Sequence, residues 1–316
     1  MRFLFVGAGA VGGYFGGRLL EKGADVTFLV RERRKCQLQE RGLSIRSIHG
    51  DFNTKPKVIT AGEKAEPFDC IVLSVKAYHL DTVLDSITPY VDERTTILPL
   101  LNGIAHVEVL FERFGRERVL GGLCFIESTL NDHGEVEQYS SRHDMVFGEW
   151  DGRMSERVKT LIHEMEGANM QARASDHIVQ EMWNKYVFIA TFSGMTALMR
   201  TTLGGVMASP FGKELFRRLL NEVVTVARSI EPSLPEEMEE KIWRVMEAQG
   251  PEMKSSLSRD IEKGLPTETD HLHGYLIRNA PADLDLPLLK TVYSHVKAYE
   301  ADRGKNAYTV SGTRAV

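Results

Sequence analysis

Residues 1–34 read MRFLFVGAGAVGGYFGGRLLEKGADVTFLVRERR, and six glycines fall within the eleven positions 7–17. Each glycine inside a helix costs about 1 kcal/mol relative to alanine, so this crowding implies that something approaches the backbone closely. Phe3–Val6, just before it, is a short continuous apolar run, as expected of a strand covered on both faces. Residues 12–22 then have helical character, and Val26–Val30 reads as a second strand. Strand, Gly7-Ala8-Gly9-Ala10-Val11-Gly12, helix and strand together form the context in which a GxGxxG binds a dinucleotide. Gly7 permits the tight turn, Gly9 lets the backbone meet a pyrophosphate, and Gly12 allows helix and strand to pack closely. The helix N-terminus presents unpaired N–H groups to the anion. A glycine-rich packing turn is the alternative; the spacing of the flanking elements favours the ligand. Gly13, Gly16 and Gly17 imply that the helix also packs tightly against neighbouring backbone.

The residue after the second strand distinguishes the two nicotinamide coenzymes. An acidic side chain there binds the ribose 2′-hydroxyl of NAD, whereas arginine suits the 2′-phosphate of NADP. Arg31 occupies that place and favours NADP; Glu32, one residue on, keeps NAD as the alternative. Arg33 and Arg34 read as solvent-facing charges.

Working outward, Cys70–Val75 and Thr96–Leu100 are two more strand-like runs, alternating with helix-like segments at Arg33–Glu40, Ala77–Ile87 and His106–Phe114. This alternation implies βαβ units and a doubly wound parallel sheet. GLSIRSIHGDFNTKPKVITAG, from Gly42, breaks the rhythm and predicts an extra hairpin. Beyond Asp176 apolar residues recur at helical spacing, with breaks at Pro210, Pro232, Pro251 and Pro281. The expected architecture is therefore an α/β Rossmann-like domain, 1–175, followed by an all-α domain, 176–316, with a loose tail from Gly304.

A length of 316 residues, 42% hydrophobic and 26% charged, is that of a globular protein with a sizeable core. The formal charge of −5 offers no case for nucleic acid or an anionic membrane surface as partner. Cys36, Cys70 and Cys124 are too scattered for a metal cluster or a disulfide framework and read as reduced thiols of a cytoplasmic protein. No signal peptide is expected, and Tyr186–Met199, the least polar long stretch, is too short for a membrane span. It reads as a buried helix, and the apolar helices of the second domain are candidates for a homodimer interface.

A nicotinamide site needs a group that manages the proton. Lys185 stands in the apolar helical stretch QEMWNKYVFIATFSGMTALMR, with Ile189 and Ser193 on its face at i+4 and i+8. Burial lowers an ammonium pKa, which suits a proton donor, although lysines beside buried helices also snorkel to solvent. Near residue 260, SSLSRDIEKGLPTETDHLHGYLIRNA gathers Ser255, Ser256, Glu268 and Asp270 around a break at Gly264–Pro266. Thr267 as an N-cap, with Glu268 or Asp270 complementing a helix dipole, is the structural alternative. His271 and His273 form an HxH without a nearby third ligand, which is weak evidence for metal.

GAGAVGGYFGGRL, VLSVKAYHLD, LPLLNGI, MWNKYVF and SSLSRDIEKGLPTETDHLHG, in this order and spacing, resemble the ketopantoate reductase (2-dehydropantoate 2-reductase) family from Met1 to about Glu300. That family is a branch of the 6-phosphogluconate-dehydrogenase-like enzymes. The resemblance implies that Lys185 is the general acid and Glu268 the active-site carboxylate. Ser256 would help hold the substrate carboxylate, and Asn102 would lie near the nicotinamide ribose and the substrate. Lys76 would sit beside the coenzyme and Arg31 at the NADP phosphate. Three positions depart from the family: Ile189, Ser193 and Met253 stand where asparagines usually contact substrate. Unpaired polar atoms in a pocket made more apolar disfavour a polar substrate. The expected activity is NADPH-dependent reduction of ketopantoate to pantoate, as in pantothenate and coenzyme A biosynthesis. Ser193 is retained as a substrate contact, and the ligand is expected between the domains. A different small 2-oxo acid, or a coenzyme-sensing protein without chemistry, are the rival readings.

Overall fold

The computed structural model describes residues 1–312, with side chains through residue 304. In chain order the first 174 residues form β1 (Arg2–Val6), α1 (Ala10–Glu21), β2 (Asp25–Leu29), α2 (Glu32–Arg41), β3 (Leu43–Ser47), β4 (Phe52–Thr54), β5 (Lys57–Ile59), β6 (Cys70–Leu73), α3 (Leu80–Ile87), β7 (Thr96–Pro99), α4 (His106–Phe114), β8 (Gly121–Leu130), β9 (Val136–Gly148), α5 (Glu156–Met165) and β10 (Gln171–Ala174). The rest is helical: α6 (Ile178–Met199), α7 (Leu203–Ala208), α8 (Gly212–Ile230), α9 (Met238–Glu247), α10 (Ser256–Glu262), a π-helical turn (Asp270–Gly274), α11 (Tyr275–Asn279) and α12 (Pro287–Gly312). The tail expected from Gly304 continues α12 as far as Gly312; residues 313–316 lie outside the described residues.

β5-β2-β1-β6-β7 form one parallel sheet. β1, β2, β6 and β7 are buried on both faces, whereas the edge strand β5 stays partly exposed. Phe3, Phe5, Val26, Phe28, Cys70 and Val72 enter one core with Tyr14, Phe15 and Leu19 of α1. Leu4, Val6, Ile71 and Leu73 enter the opposite core with Leu80 and Leu84 of α3 and Leu110 and Phe114 of α4. This period-2 split explains why the strands read as continuous apolar runs. The expected hairpin is β3–β4, and the strand after it, β5, joins the edge of the parallel sheet.

A second sheet is centred on β9, which pairs antiparallel with β8 and parallel with both β3 and β10. It accounts for the glycines of α1. A Cβ at Gly16 would lie 2.6 Å from Phe28 Cζ of the parallel sheet, and one at Gly17 only 2.5 Å from Ile45 Cδ1 of the second sheet. At Gly13 the obstacle would be Val136 Cγ2, 2.9 Å away. The helix is held between two sheets, and what crowds it is side chains rather than the backbone expected from sequence.

The chain divides into two compact units: Met1–Leu101 with His106–Met182, and Asn102–Ala105 with Trp183 onward. The division falls within α6 rather than at residue 175, and the short loop carrying Asn102 packs with the helical unit. Among the described residues no helix is long and apolar enough to cross a membrane; Tyr186–Met199 lies within α6, which is mostly buried.

Candidate active site

In the first unit, three adjacent parallel strands end in candidate residues. β1 runs into Gly7-Ala8-Gly9, β2 into Arg31, and β6 into Ser74 and Lys76. Gly7 has φ +93°, a conformation that glycine adopts without penalty, and Gly9 caps α1. Ser74 Oγ donates to the carbonyls of Val6 (3.0 Å) and Gly7 (3.2 Å), and Arg34 Nε donates to that of Ala8 (3.1 Å). The turn's carbonyls are thus held by protein donors. The first-turn amides of α1, at Ala10, Val11 and Gly12, have no acceptor within the helix, and neither a capping side chain nor an acidic residue competes there.

Gly9 tests whether this turn fits a dinucleotide. A Cβ there would meet no protein atom within 4 Å, so packing does not demand glycine at that position. The open space lies on the turn whose N–H groups are available, and the residues present fit a diphosphate. Gly12 is different: its Cβ would lie 2.1 Å from Ser74 Oγ and 2.2 Å from the Gly7 carbonyl oxygen, so it serves close packing.

Arg31 is exposed at the N-cap of α2, and Lys76 precedes a short 3₁₀ turn, Ala77–His79. Burial, followed by the charge of Arg31, holds His79 below its usual pKa. This local field of positive charge suits an anionic group. Arg34, read from sequence as solvent-facing, is instead half-buried and also donates to the Gly134 carbonyl at 2.9 Å. Burial lowers its pKa, and its partner lies a hundred residues away, out of reach of local pattern reading.

The second unit holds Asn102, Lys185, Ser193, Ser256 and Glu268. Lys185 is half-buried on α6, as are its i+4 neighbour Ile189 and, near α10, Met253. Ser193 is 3% exposed, and its hydroxyl donates to the Ile189 carbonyl one turn back. That bond uses the only proton Ser193 can offer, so the structure places it as a helix-satisfied serine rather than a donor to substrate. Ser255 caps α10, accepting from Ser258 N at 3.1 Å, and its hydroxyl meets those of Thr196 and Ser258, each at 2.9 Å. This buried triangle leaves Ser256, exposed at the first position of α10, as the accessible serine.

Glu268 is 6% exposed, and its carbonyl accepts from His271 N and Leu272 N at the start of the π turn. Asp270, grouped with it in sequence, is structural: it accepts from Tyr293 OH at 2.7 Å and Lys297 Nζ at 2.9 Å. Thr267 donates to Glu300 on α12 rather than capping a long helix. The Asn102 loop joins this group, since a Cβ at Gly103 would lie 3.5 Å from the His271 carbonyl and 3.6 Å from Tyr186 Cε2.

His273 is fully buried, and burial pushes its pKa down to about 4. Its Nδ1 lies 3.0 Å from Thr269 Oγ1 and its Nε2 2.9 Å from the Ala190 carbonyl. A histidine neutral in the fold but protonated when unfolded destabilises the fold as pH falls. The stability is complete above about pH 6.5 and is lost down to about pH 4. Wild type is expected to be less stable at pH 5 than at pH 8 by about 2 kcal/mol more than His273→Gln. Urea melts at both pH values check this, and equal pH dependence in the two proteins would contradict it.

A parallel sheet in this order, with a glycine turn at the carboxyl end of its first strand, is a Rossmann-type dinucleotide-binding fold joined to a helical unit. Comparison with known proteins makes the assignment specific. The profile "Ketopantoate reductase PanE/ApbA" matches residues 3–152, and its C-terminal counterpart matches residues 177–300. YkpB of Bacillus subtilis (strain 168), an uncharacterized oxidoreductase, is 44% identical over 96% of this chain and 100% of its own length. The 2-dehydropantoate 2-reductase of Mesorhizobium japonicum is 26% identical over 96% of this chain and 99% of its own. The crystal structure of 2-dehydropantoate 2-reductase from Geobacter metallireducens GS-15 superposes with a TM-score of 0.83 at 28% identity, covering 94% of this chain and 99% of that one. The chain belongs to the ketopantoate reductase PanE/ApbA family of oxidoreductases.

Proposed function

We propose that this protein reduces a small 2-oxo acid with NADPH, and that 2-dehydropantoate is the substrate to which its family membership points. The open space at Gly9, on a turn whose following amides have no acceptor in the helix, is the observation that carries the coenzyme half of this reading. The amides of residues 8–12 would bind the diphosphate, with Arg31 and Lys76 supplying positive charge. NADPH, when bound, supplies hydride to the ketone carbon. Lys185 donates the proton that the carbonyl oxygen takes up as it becomes a hydroxyl. Asn102 and Ser256 orient the substrate, and Glu268 holds the lysine or a substrate hydroxyl. Binding both reactants on one chain makes their encounter effectively unimolecular.

A second reading, a less polar 2-oxo acid, is favoured by Ile189 and Met253 and by Ser193, whose proton is committed to the Ile189 carbonyl. A panel of 2-oxo acids, followed by loss of NADPH absorbance, separates the two. Ketopantoate with the highest kcat/KM supports the first; ketopantoate no better than apolar analogues supports the second. No oxidation with any member leaves a coenzyme-binding protein without this chemistry.

Arg31 tests the choice of coenzyme. Losing a charge-assisted contact with the 2′-phosphate costs about 1.5–3 kcal/mol, so Arg31→Ala is expected to weaken NADPH binding by at least about tenfold. NADH binding should hardly change. Fluorescence titration measures both, and equal weakening of the two would remove Arg31 from phosphate recognition.

A further inference from the structure

The π turn at Asp270–Gly274 lies two residues beyond Glu268 and packs onto the helix that carries Lys185. Two stripes of α6 run side by side. Lys185, Ile189 and Ser193 form the candidate catalytic stripe; Tyr186, Ala190 and Gly194, each one residue later, form the stripe that receives the turn. Tyr186 OH donates to the Leu272 carbonyl at 2.5 Å. Ala190 and Gly194 make a notch, because a Cβ at Gly194 would lie 3.2 Å from His273 Nε2. The imidazole enters that notch and reaches the Ala190 carbonyl at 2.9 Å.

A carbonyl can only accept, so His273 Nε2 carries the proton and donates it. Nδ1 is then an acceptor for the hydroxyl of Thr269, the residue that follows Glu268. One buried ring therefore ties the α6 backbone to the immediate neighbour of the candidate carboxylate. A π turn has a wider, poorer backbone pattern than an α turn, so side-chain bonds such as these are what hold it in place.

We propose that His273 is a positioning residue: its neutral imidazole, lodged in the Ala190/Gly194 notch and bonded to Thr269, sets the place of Glu268 relative to the helix bearing Lys185. The assignment rests on the catalytic reading of Lys185 and Glu268. His273 touches neither reactant; it acts through the turn.

Three variants test it. His273→Phe keeps the ring volume and removes both bonds. Thr269→Val keeps the shape and removes one. His273→Gln retains a donor able to reach the Ala190 carbonyl. Misplacement of a catalytic group by about 1 Å costs up to about a hundredfold, so His273→Phe is expected to lower kcat by about 10- to 100-fold. NADPH affinity, which belongs to the other unit's glycine turn, should stay within about twofold. Thr269→Val should cost about fivefold, the worth of one hydrogen bond, and His273→Gln should recover about tenfold of the loss in His273→Phe. Hydrogen exchange supplies a readout independent of activity. The amides of His271 and Leu272, bonded to the Glu268 carbonyl, should exchange faster in His273→Phe and Thr269→Val than in wild type.

A folded His273→Phe with wild-type kcat and wild-type exchange at these amides overturns the proposal. So does a His273→Phe that fails to fold, if Thr269→Val is then indistinguishable from wild type in rate and exchange. If wild type itself oxidises NADPH with none of the 2-oxo acids, the functional reading has failed, and the exchange rates alone decide whether His273 locks the turn.

Discussion

Lys185→Ala is expected to lower kcat by about 10²- to 10⁴-fold, the usual contribution of a positioned proton donor, while leaving NADPH affinity nearly intact. The two effects separate because the elements that fit the coenzyme diphosphate, Gly7–Gly12 with Ser74 and Arg34, belong to the first unit, and Lys185 belongs to the second. Lys185 is half-buried on a long helix, in the same unit as a buried carboxylate at Glu268 and the Asn102 loop. Lys185→Arg separates charge from proton supply. Arginine keeps the positive charge but does not release its proton at working pH, so its kcat should remain low even if 2-oxo acid binding is kept. Single-turnover rates with the best substrate of the panel measure the chemical step directly. Unchanged turnover in Lys185→Ala would remove the lysine from the reaction, whatever the substrate proves to be.

The glycine turn was legible because its signal is local. A strand, a hexapeptide and a helix follow one another within twenty residues, and each is dictated by backbone sterics and apolar periodicity. The same holds for β2, β6 and β7, whose two-sided burial leaves short, mainly apolar runs. The second sheet escaped for the opposite reason. β9, VEQYSSRHDMVFG, mixes buried and exposed positions over thirteen residues and carries serines, histidine and arginine, so neither period dominates. Its importance becomes visible only through what it touches: Val136 beside Gly13, and β3, which brings Ile45 beside Gly17.

Distance in the chain limited the reading of the site in the same way. Arg34 looks like one of three consecutive charges, and only its bonds to Ala8 and to Gly134 mark it as support for the turn. In sequence His273 reads as half of an HxH pair, because the spacing to His271 is visible there and the notch at Ala190 and Gly194 is not. Ser255 and Ser256 are adjacent in sequence and opposite in exposure: the first is buried in a hydroxyl triangle with Thr196, the second is exposed. Residue type and order identified the candidates; burial and hydrogen-bond partners, which depend on contacts far along the chain, sorted them.

Two alanine substitutions three residues apart are expected to fail in different ways, and the contrast tests the coenzyme site more sharply than either alone. Gly9 has φ −83° and ψ −161°, extended backbone open to any residue, and a Cβ there meets nothing within 4 Å. Gly9→Ala should therefore fold with an unchanged melting temperature. Its methyl group would nonetheless fill the space that the proposed coenzyme site assigns to the diphosphate. An intrusion worth about 1–3 kcal/mol corresponds to roughly a 5- to 150-fold rise in the Kd for NADPH. Gly12→Ala meets Ser74 Oγ at 2.1 Å and the Gly7 carbonyl at 2.2 Å, and neither moves cheaply. Ser74 is tied to the Val6 and Gly7 carbonyls, and Gly7 N donates to the Leu29 carbonyl. Relief must come from displacing α1 or the turn, so Gly12→Ala should lose about 1–3 kcal/mol of stability and coenzyme binding together. Thermal melts and NADPH titrations on both variants read the pattern. If Gly9→Ala binds NADPH as wild type does, the space over the turn is not where the diphosphate lies, and the glycine there needs another explanation.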